Sequence, residues 1–170
     1  MKLNKSIVLV GMMGSGKSSI GKILSKKLEF EFIDTDKKIE KIEKKTISEI
    51  FKNEGEKYFR NIEEIISLES LKLNNKVIAL GGGGYINPII RQYTLKKCIS
   101  VWLDWNNETL INRIKNSKKR PLAIKSNNFE LHKLIVKRSK FYNLSDYKIN
   151  CDKLDKEQIV EKIINYYENS

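Results

Sequence analysis

The stretch Gly11-Met12-Met13-Gly14-Ser15-Gly16-Lys17-Ser18 places glycines, a lysine and a hydroxyl at the G-x-x-x-x-G-K-[ST] spacing of a phosphate-binding loop. Glycines let successive backbone N–H groups turn inward around a phosphate, and a following helix adds the positive end of its dipole. Lys17 has the reach for β- and γ-phosphates, and the Ser18 hydroxyl is suited to Mg²⁺. The flanks agree with this chemistry. Ile7-Val8-Leu9-Val10 reads as a buried strand, and Ile20, Ile23, Leu24 and Leu28 repeat at helical spacing.

Three further groups carry candidate chemistry. Asp34-Thr35-Asp36 follows a second apolar run. Carboxylates at a strand's carboxyl end lie where open α/β sheets bind ligands. One of the pair can face a metal and the other an acceptor, although Asp36 is equally placed to cap the next helix. In Gly55-Glu56-Lys57-Tyr58-Phe59-Arg60-Asn61-Ile62-Glu63, Arg60 and Glu63 share a helix face, as an ordinary surface ion pair also would. Gly81-Gly82-Gly83-Gly84 follows a third apolar run. Four consecutive glycines permit close approach of backbone to ligand and are costly in entropy otherwise. The chain has only five arginines, Arg60, Arg91, Arg113, Arg120 and Arg138. Where lysine supplies most of the positive charge, each arginine is a candidate for a task that needs a planar fork or a stacking face.

Strand-like runs at 7–10, 30–33, 77–80, 99–103 and 147–151 alternate with helical patterns at about 17–28, 36–43, 56–72, 88–95, 107–115, 129–144 and 155–168. This alternation predicts an α/β fold, a parallel sheet with helices on both faces. Two stretches read as mobile insertions: 44–55, with a short helix at 47–51, and 116–128, which is polar and basic and contains Arg120-Pro121. The second suits a lid.

With 170 residues, 40% hydrophobic and 32% charged, the chain fits one soluble domain. No apolar run approaches a membrane span. The N-terminus runs directly into the first strand, which leaves no room for a signal peptide. Cys98 and Cys151 form no C-x-x-C pair and read as reduced, buried thiols, so a cytoplasmic location is expected. The lone histidine, His132, argues against a histidine metal site. A net charge of +12 raises the possibility of nucleic-acid binding. The lysines, however, are interleaved with glutamates along helices, without the aromatic-basic signature of an RNA module. No nucleic-acid partner is expected; anionic small molecules are. A GTPase is poorly supported: the nearest approach to N-K-x-D, Asn75-Lys76-Val77-Ile78, lacks the acid.

Together these residues resemble the shikimate kinases, small phosphotransferases of the nucleoside-monophosphate-kinase structural class. The similarity spans nearly the whole chain in motif order: Gly11 to Ser18, Asp34-Thr35-Asp36, Phe59-Arg60-Asn61-Ile62-Glu63, Gly81-Gly82-Gly83, Arg120-Pro121-Leu122 and Arg138-Ser139-Lys140-Phe141-Tyr142. The resemblance implies a single kinase domain over 1–170 with a five-stranded parallel sheet in the order 2-3-1-4-5. A substrate-binding insertion would occupy about 36–62 and a mobile lid about 116–128.

The resemblance also implies site roles. ATP would be bound by Gly14, Ser15, Gly16, Lys17, Ser18, Ser19, Arg113 and Arg120, with Arg113 stacked on adenine. Mg²⁺ would be held by Ser18 directly and by Asp34 through water. Shikimate would meet Asp36, Gly81, Gly82, Gly83 and a carboxylate clamp of Arg60 and Arg138. Lys17, Asp36 and Arg120 would be catalytic, and a monomer acting in aromatic amino acid biosynthesis is implied. Arg91 receives no role and reads as a surface residue. The chain departs from the family pattern at Leu80, at the extra Gly84, at Ala123 after Arg-Pro-Leu, and at 150–153, where arginine or proline is common. A gluconate or nucleotide kinase on the same scaffold is one alternative, and a catalytically silent ATP- or nucleic-acid-binding module is another.

Overall fold

The computed structural model describes residues 4–116 and 127–170. Arg120, Pro121, Leu122 and Ala123, with most of the lid assignment, lie outside the described residues. Five parallel strands, β1 (Ile7–Val10), β2 (Glu31–Asp34), β3 (Lys76–Ala79), β4 (Ile99–Asp104) and β5 (Tyr147–Asn150), form one sheet in the order β2-β3-β1-β4-β5. Between them run α1 (Lys17–Leu28), α2 (Thr35–Glu43), α3 (Ile47–Asn53), α4 (Gly55–Leu71), a 3₁₀ turn (Gly84–Ile86), α5 (Pro88–Lys97), α6 (Asn107–Lys115) and α7 (Asn128–Tyr142), and α8 (Lys156–Glu168) follows β5. The α/β expectation and the strand order agree with the structure.

β1 is central and wholly buried. Its side chains alternate between two apolar layers, as the pleat requires. Ile7 and Leu9 join Ile20, Leu24, Ile159 and Ile163 under α1 and α8. Val8 and Val10 join Leu80, Tyr85, Ile90, Ile135 and Tyr142 under α4, α5 and α7.

Several strand ends lie one residue from the sequence pattern. Phe30 ends the α1 turn, its N–H donating to Ser25 O at 2.8 Å, so β2 begins one residue later. Leu80 and Cys151 lie beyond the strand ends, yet their N–H groups still bond to Leu9 O at 3.2 Å and Asp104 O at 2.8 Å. The segment 44–55 is a packed element rather than a loose insertion. Thr46 and Glu49 form a reciprocal capping box at the start of α3. Ile50 is fully buried with Ile39, Phe59 and Ile66, locking α3 against α2 and α4.

No helix among the described residues is long and apolar enough to cross a membrane. Both cysteines are free and buried. Burial pushes the Cys98 thiol up to about 11 and the Cys151 thiol up to about 12. Neither thiol should react with iodoacetamide near pH 8 in the folded protein, and both should react after denaturation, as mass spectrometry would record. Because both folded values lie above the ordinary 9.0, the thiols' contribution to stability is complete below that value and is lost as pH climbs through 11 and 12.

Candidate active site

The phosphate loop joins β1 to α1. Gly16 adopts a left-handed φ of 88° as the N-cap of α1 and brings no side chain to cap it. The first turn of α1 also carries no acidic residue. The positive end of its dipole therefore meets no side chain of its own that would compete with an anion. Lys17 is buried, and its Nζ donates to Gly11 O at 2.8 Å and Met12 O at 3.0 Å, which folds the ammonium over the loop.

The loop borders a cavity of about 430 Å³ lined by Gly14, Ser19, Trp105, Arg113, Leu154 and Ile159, among others. Arg113 reaches Gly14 O with Nη1 at 3.5 Å. Ser18 Oγ donates to Asp34 Oδ2 at 2.6 Å, at the adjoining carboxyl end of β2. One hydroxyl and one carboxylate, beside space for phosphates, make an oxygen set that fits Mg²⁺, which commonly takes few protein ligands and completes its shell with phosphate and water.

Asp34, rather than Asp36, caps α2, accepting from Lys37 N at 3.3 Å. Asp36 is thereby left in the first turn of α2, against the glycine run. The intervening Thr35 is fully buried. Its Oγ1 donates to Ala79 O at 3.2 Å and accepts from Gly81 N at 3.0 Å, tying the start of α2 to the end of β3.

The glycine run is a junction of charges. A Cβ on Gly81 would collide with the Asp36 carboxylate and stand 2.9 Å from Glu63 Oε1. One on Gly83 would collide with the Arg60 guanidinium, and one on Gly82 would stand 3.5 Å from Arg138 Nη1 and 3.2 Å from Met13 N of the phosphate loop. Asp36, Arg60, Gly81, Gly82, Gly83 and Arg138 are thus brought together beside the loop holding Lys17.

Arg60 is held from two sides. Its Nη1 donates to Glu63 Oε2 at 2.6 Å, and its Nε and Nη2 donate to Glu56 Oε1 at 3.3 and 3.2 Å. The pair is no ordinary surface bridge, because the Glu63 side chain is only 3% exposed. Burial raises the Glu63 carboxyl above its ordinary value, with Asp36 adding to the rise and Arg60 and Arg138 opposing it.

Two residues named in the sequence take positions there that the patterns did not assign. The Tyr142 hydroxyl donates to Gly82 O. Arg91 is not a plain surface residue: its Nη1 donates to Tyr85 O at 3.1 Å and Ile86 O at 2.9 Å, and its guanidinium lies over Phe141. The pattern showed α5 and α7 as helices, but side chains that reach a loop carbonyl leave no periodic signal.

A family model described as shikimate kinase matches residues 13–168. The chain is 40% identical over 161 residues to the shikimate kinase of Persephonella marina, covering 94% of this chain and 97% of that one. It is 37% identical over 164 residues to the shikimate kinase of Caldanaerobacter subterraneus subsp. tengcongensis, covering 96% of each. The chain belongs to the shikimate kinase family. Among solved structures it superimposes on shikimate kinase from Acinetobacter baumannii in complex with shikimate with a TM-score of 0.91 at 30% identity, over 99% of this chain and 95% of that one. A gluconokinase from Sinorhizobium meliloti gives a TM-score of 0.63 at 17% identity, over 99% and 94% of the two chains, which is a likeness of fold alone.

Two substitutions test the geometry. Gly81→Ala should lower kcat/KM by about a hundredfold or more while the protein remains folded by circular dichroism, because a methyl group there must displace the Asp36 carboxylate. Glu63→Gln removes a carboxyl whose folded pKa lies above the ordinary 4.5. That shift contributes stability to the wild type below 4.5, which is lost as pH rises through the folded value. The Tm of the Gln variant relative to wild type should accordingly rise across that window in thermal melts.

Proposed function

We propose that the chain transfers the γ-phosphoryl group of ATP to the 3-hydroxyl of shikimate, giving ADP and 3-phosphoshikimate on the route to chorismate and the aromatic amino acids. The observation that carries this reading is the convergence of Asp36, Arg60 and Arg138 on a glycine run beside the phosphate loop. Two guanidinium groups suit a carboxylate, a carboxylate suits a hydroxyl, and side-chain-free backbone leaves room for a small ring.

In the reaction the acceptor oxygen forms a bond to the γ-phosphorus, and the bond from that phosphorus to the β–γ bridging oxygen breaks. Asp36 would orient the 3-hydroxyl and accept its proton as the new bond forms. Arg60 and Arg138 would fix the substrate carboxylate, and the backbone N–H of Gly82 would face the ring, which makes the attack effectively unimolecular. Gly14, Ser15, Gly16 and Ser19 would cradle the phosphates, and Arg113 would stack on adenine. Lys17 would leave its loop carbonyls for the β- and γ-phosphates and offset charge developing on the bridging oxygen. Arg120 would add positive charge at the transferring group, within a lid that excludes water.

When bound, Mg²⁺ would neutralise phosphate charge, held by Ser18 and, through water, by Asp34. A cytoplasmic monomer over 1–170 that binds neither membrane nor nucleic acid completes the proposal. Gluconate lacks the rigid ring that would span Asp36 and the arginine pair, and a nucleotide acceptor would not call for that carboxylate clamp.

A coupled ADP-release assay with ATP, Mg²⁺ and shikimate, gluconate or AMP should show turnover with shikimate alone. Turnover only with another acceptor would discard the substrate roles of Arg60, Gly82 and Arg138. Lys17→Ala should abolish turnover. Arg60→Lys should raise the shikimate KM by about tenfold or more and leave the ATP KM nearly unchanged, because an ammonium cannot reproduce the two-pronged contact.

A further inference from the structure

We infer that Trp105 is a positioning residue for the nucleotide base: its indole face sets the plane of the Arg113 guanidinium, while its ring N–H fixes the phosphate loop. The inference rests on the reading that Arg113 meets adenine. Arg113 itself is exposed near the end of α6. An exposed arginine samples many rotamers, and ordering one costs conformational entropy. Here the guanidinium carbon lies 3.7 Å from the centroid of the Trp105 ring, stacking distance for a planar cation on an aromatic face. Trp105 Nε1 donates to Ser15 O at 2.9 Å, so the same side chain ties the base platform to the phosphate loop.

Trp105 is well placed to be rigid. It packs against the apolar layers on both faces of the sheet, and it follows Asp104 at the carboxyl end of β4. The next residue ties a second loop to the cavity. Asn106 donates through its backbone N–H and its Nδ2 to Asp152 Oδ1, at 3.1 and 3.0 Å. This anchors the loop that leads to Leu154, which lines the cavity together with Arg113. A base would then lie between a tryptophan-backed guanidinium and an aliphatic wall. Such a stack accounts for nucleotide binding in a chain whose 150–153 loop, Asn150-Cys151-Asp152-Lys153, supplies neither arginine nor proline.

Steady-state kinetics of Trp105→Ala, Trp105→Phe, Arg113→Ala and the Trp105→Ala/Arg113→Ala double variant test the inference. Trp105→Ala should raise the ATP KM about tenfold with the shikimate KM within about twofold. Trp105→Phe keeps a ring face and should recover most of that loss. The double variant should lose clearly less than the two single losses multiplied together, since the indole face acts through arginine and only the bond to Ser15 O acts apart from it. Equal rises in both KM values, a fall in kcat alone, or additive losses would overturn the inference in favour of a general structural role. If Arg113→Ala leaves the ATP KM unchanged, the adenine assignment itself falls, and the role of Trp105 falls with it.

A second readout avoids substitution of Trp105. The chain has two tryptophans, so Trp102→Phe leaves Trp105 as the sole indole. Its emission should change saturably with ADP and remain flat with shikimate. A flat response to ADP would overturn the inference.

Discussion

The hydrogen bonds that seat β3 between β2 and β1 govern the placement of every group discussed above. Because the strands are parallel, the loops after β1, β2 and β3 emerge at one edge. Because β3 is the middle of the three, its glycine run emerges between the phosphate loop and Asp34-Thr35-Asp36. Two side bonds sharpen the arrangement: Leu80 N to Leu9 O extends the β1–β3 ladder past the strand end, and Thr35 links β2's exit to both Ala79 and Gly81. An antiparallel β3 would send its glycines to the far edge and leave Asp36 facing no partner loop.

Close approach at that edge concentrates charge in a confined space. Asp36, Glu63, Arg60 and Arg138 surround glycines that contribute backbone and no bulk. Glu63 bears much of the resulting electrostatic cost, since burial raises its carboxyl despite the adjoining guanidinium. A buried acid of this kind is poor evidence for stability. It makes sense as a brace, because Arg60 gripped by Glu56 and Glu63 is limited to few orientations before any anionic ligand arrives. The apolar cluster of Ile39, Ile50, Phe59 and Ile66 supplies the rigidity beneath it.

The sequence made the phosphate loop, the alternating elements and the glycine run legible, since each depends on local spacing or on a residue type with a strong backbone preference. Which of the two aspartates caps α2 was not legible from the residues alone. Asp34 and Asp36 have similar capping chemistry, and only the position where β2 ends assigns the cap to Asp34 and turns Asp36 toward the glycines. The segment 44–55 read as loose because its single deeply buried anchor, Ile50, makes no periodic pattern alone. Arg91, Tyr142 and Trp105 received no positioning role for a different reason: each acts on backbone carbonyls, those of Tyr142 and Trp105 far away in sequence, and carbonyls have no letter in the sequence. Thr35 was hidden between two more conspicuous carboxylates.

Lysine and arginine divide the positive charge by geometry. The lysine ion pairs, Lys27–Glu157, Lys45–Glu54 and Lys148–Asp104 among them, join at least one well-exposed side chain and contribute little to stability. Lys17 is the exception, buried in the phosphate loop, where a compact point charge suits a chain of phosphates. Of the four arginines among the described residues, three fork between groups or stack on a ring, and the fourth, Arg138, lies in the junction beside the glycine run. Arg60 forks between two carboxylates, Arg91 grips the 3₁₀ turn from the face of Phe141, Arg113 stacks on Trp105, and Arg138 lies against Gly82 and Met12. Lysine could keep the charge at each of these places and would lose the plane. In a chain otherwise so rich in lysine, the loss of that plane is the physical reason for arginine at these positions, and it makes the few arginines better markers of the site than the net charge of +12.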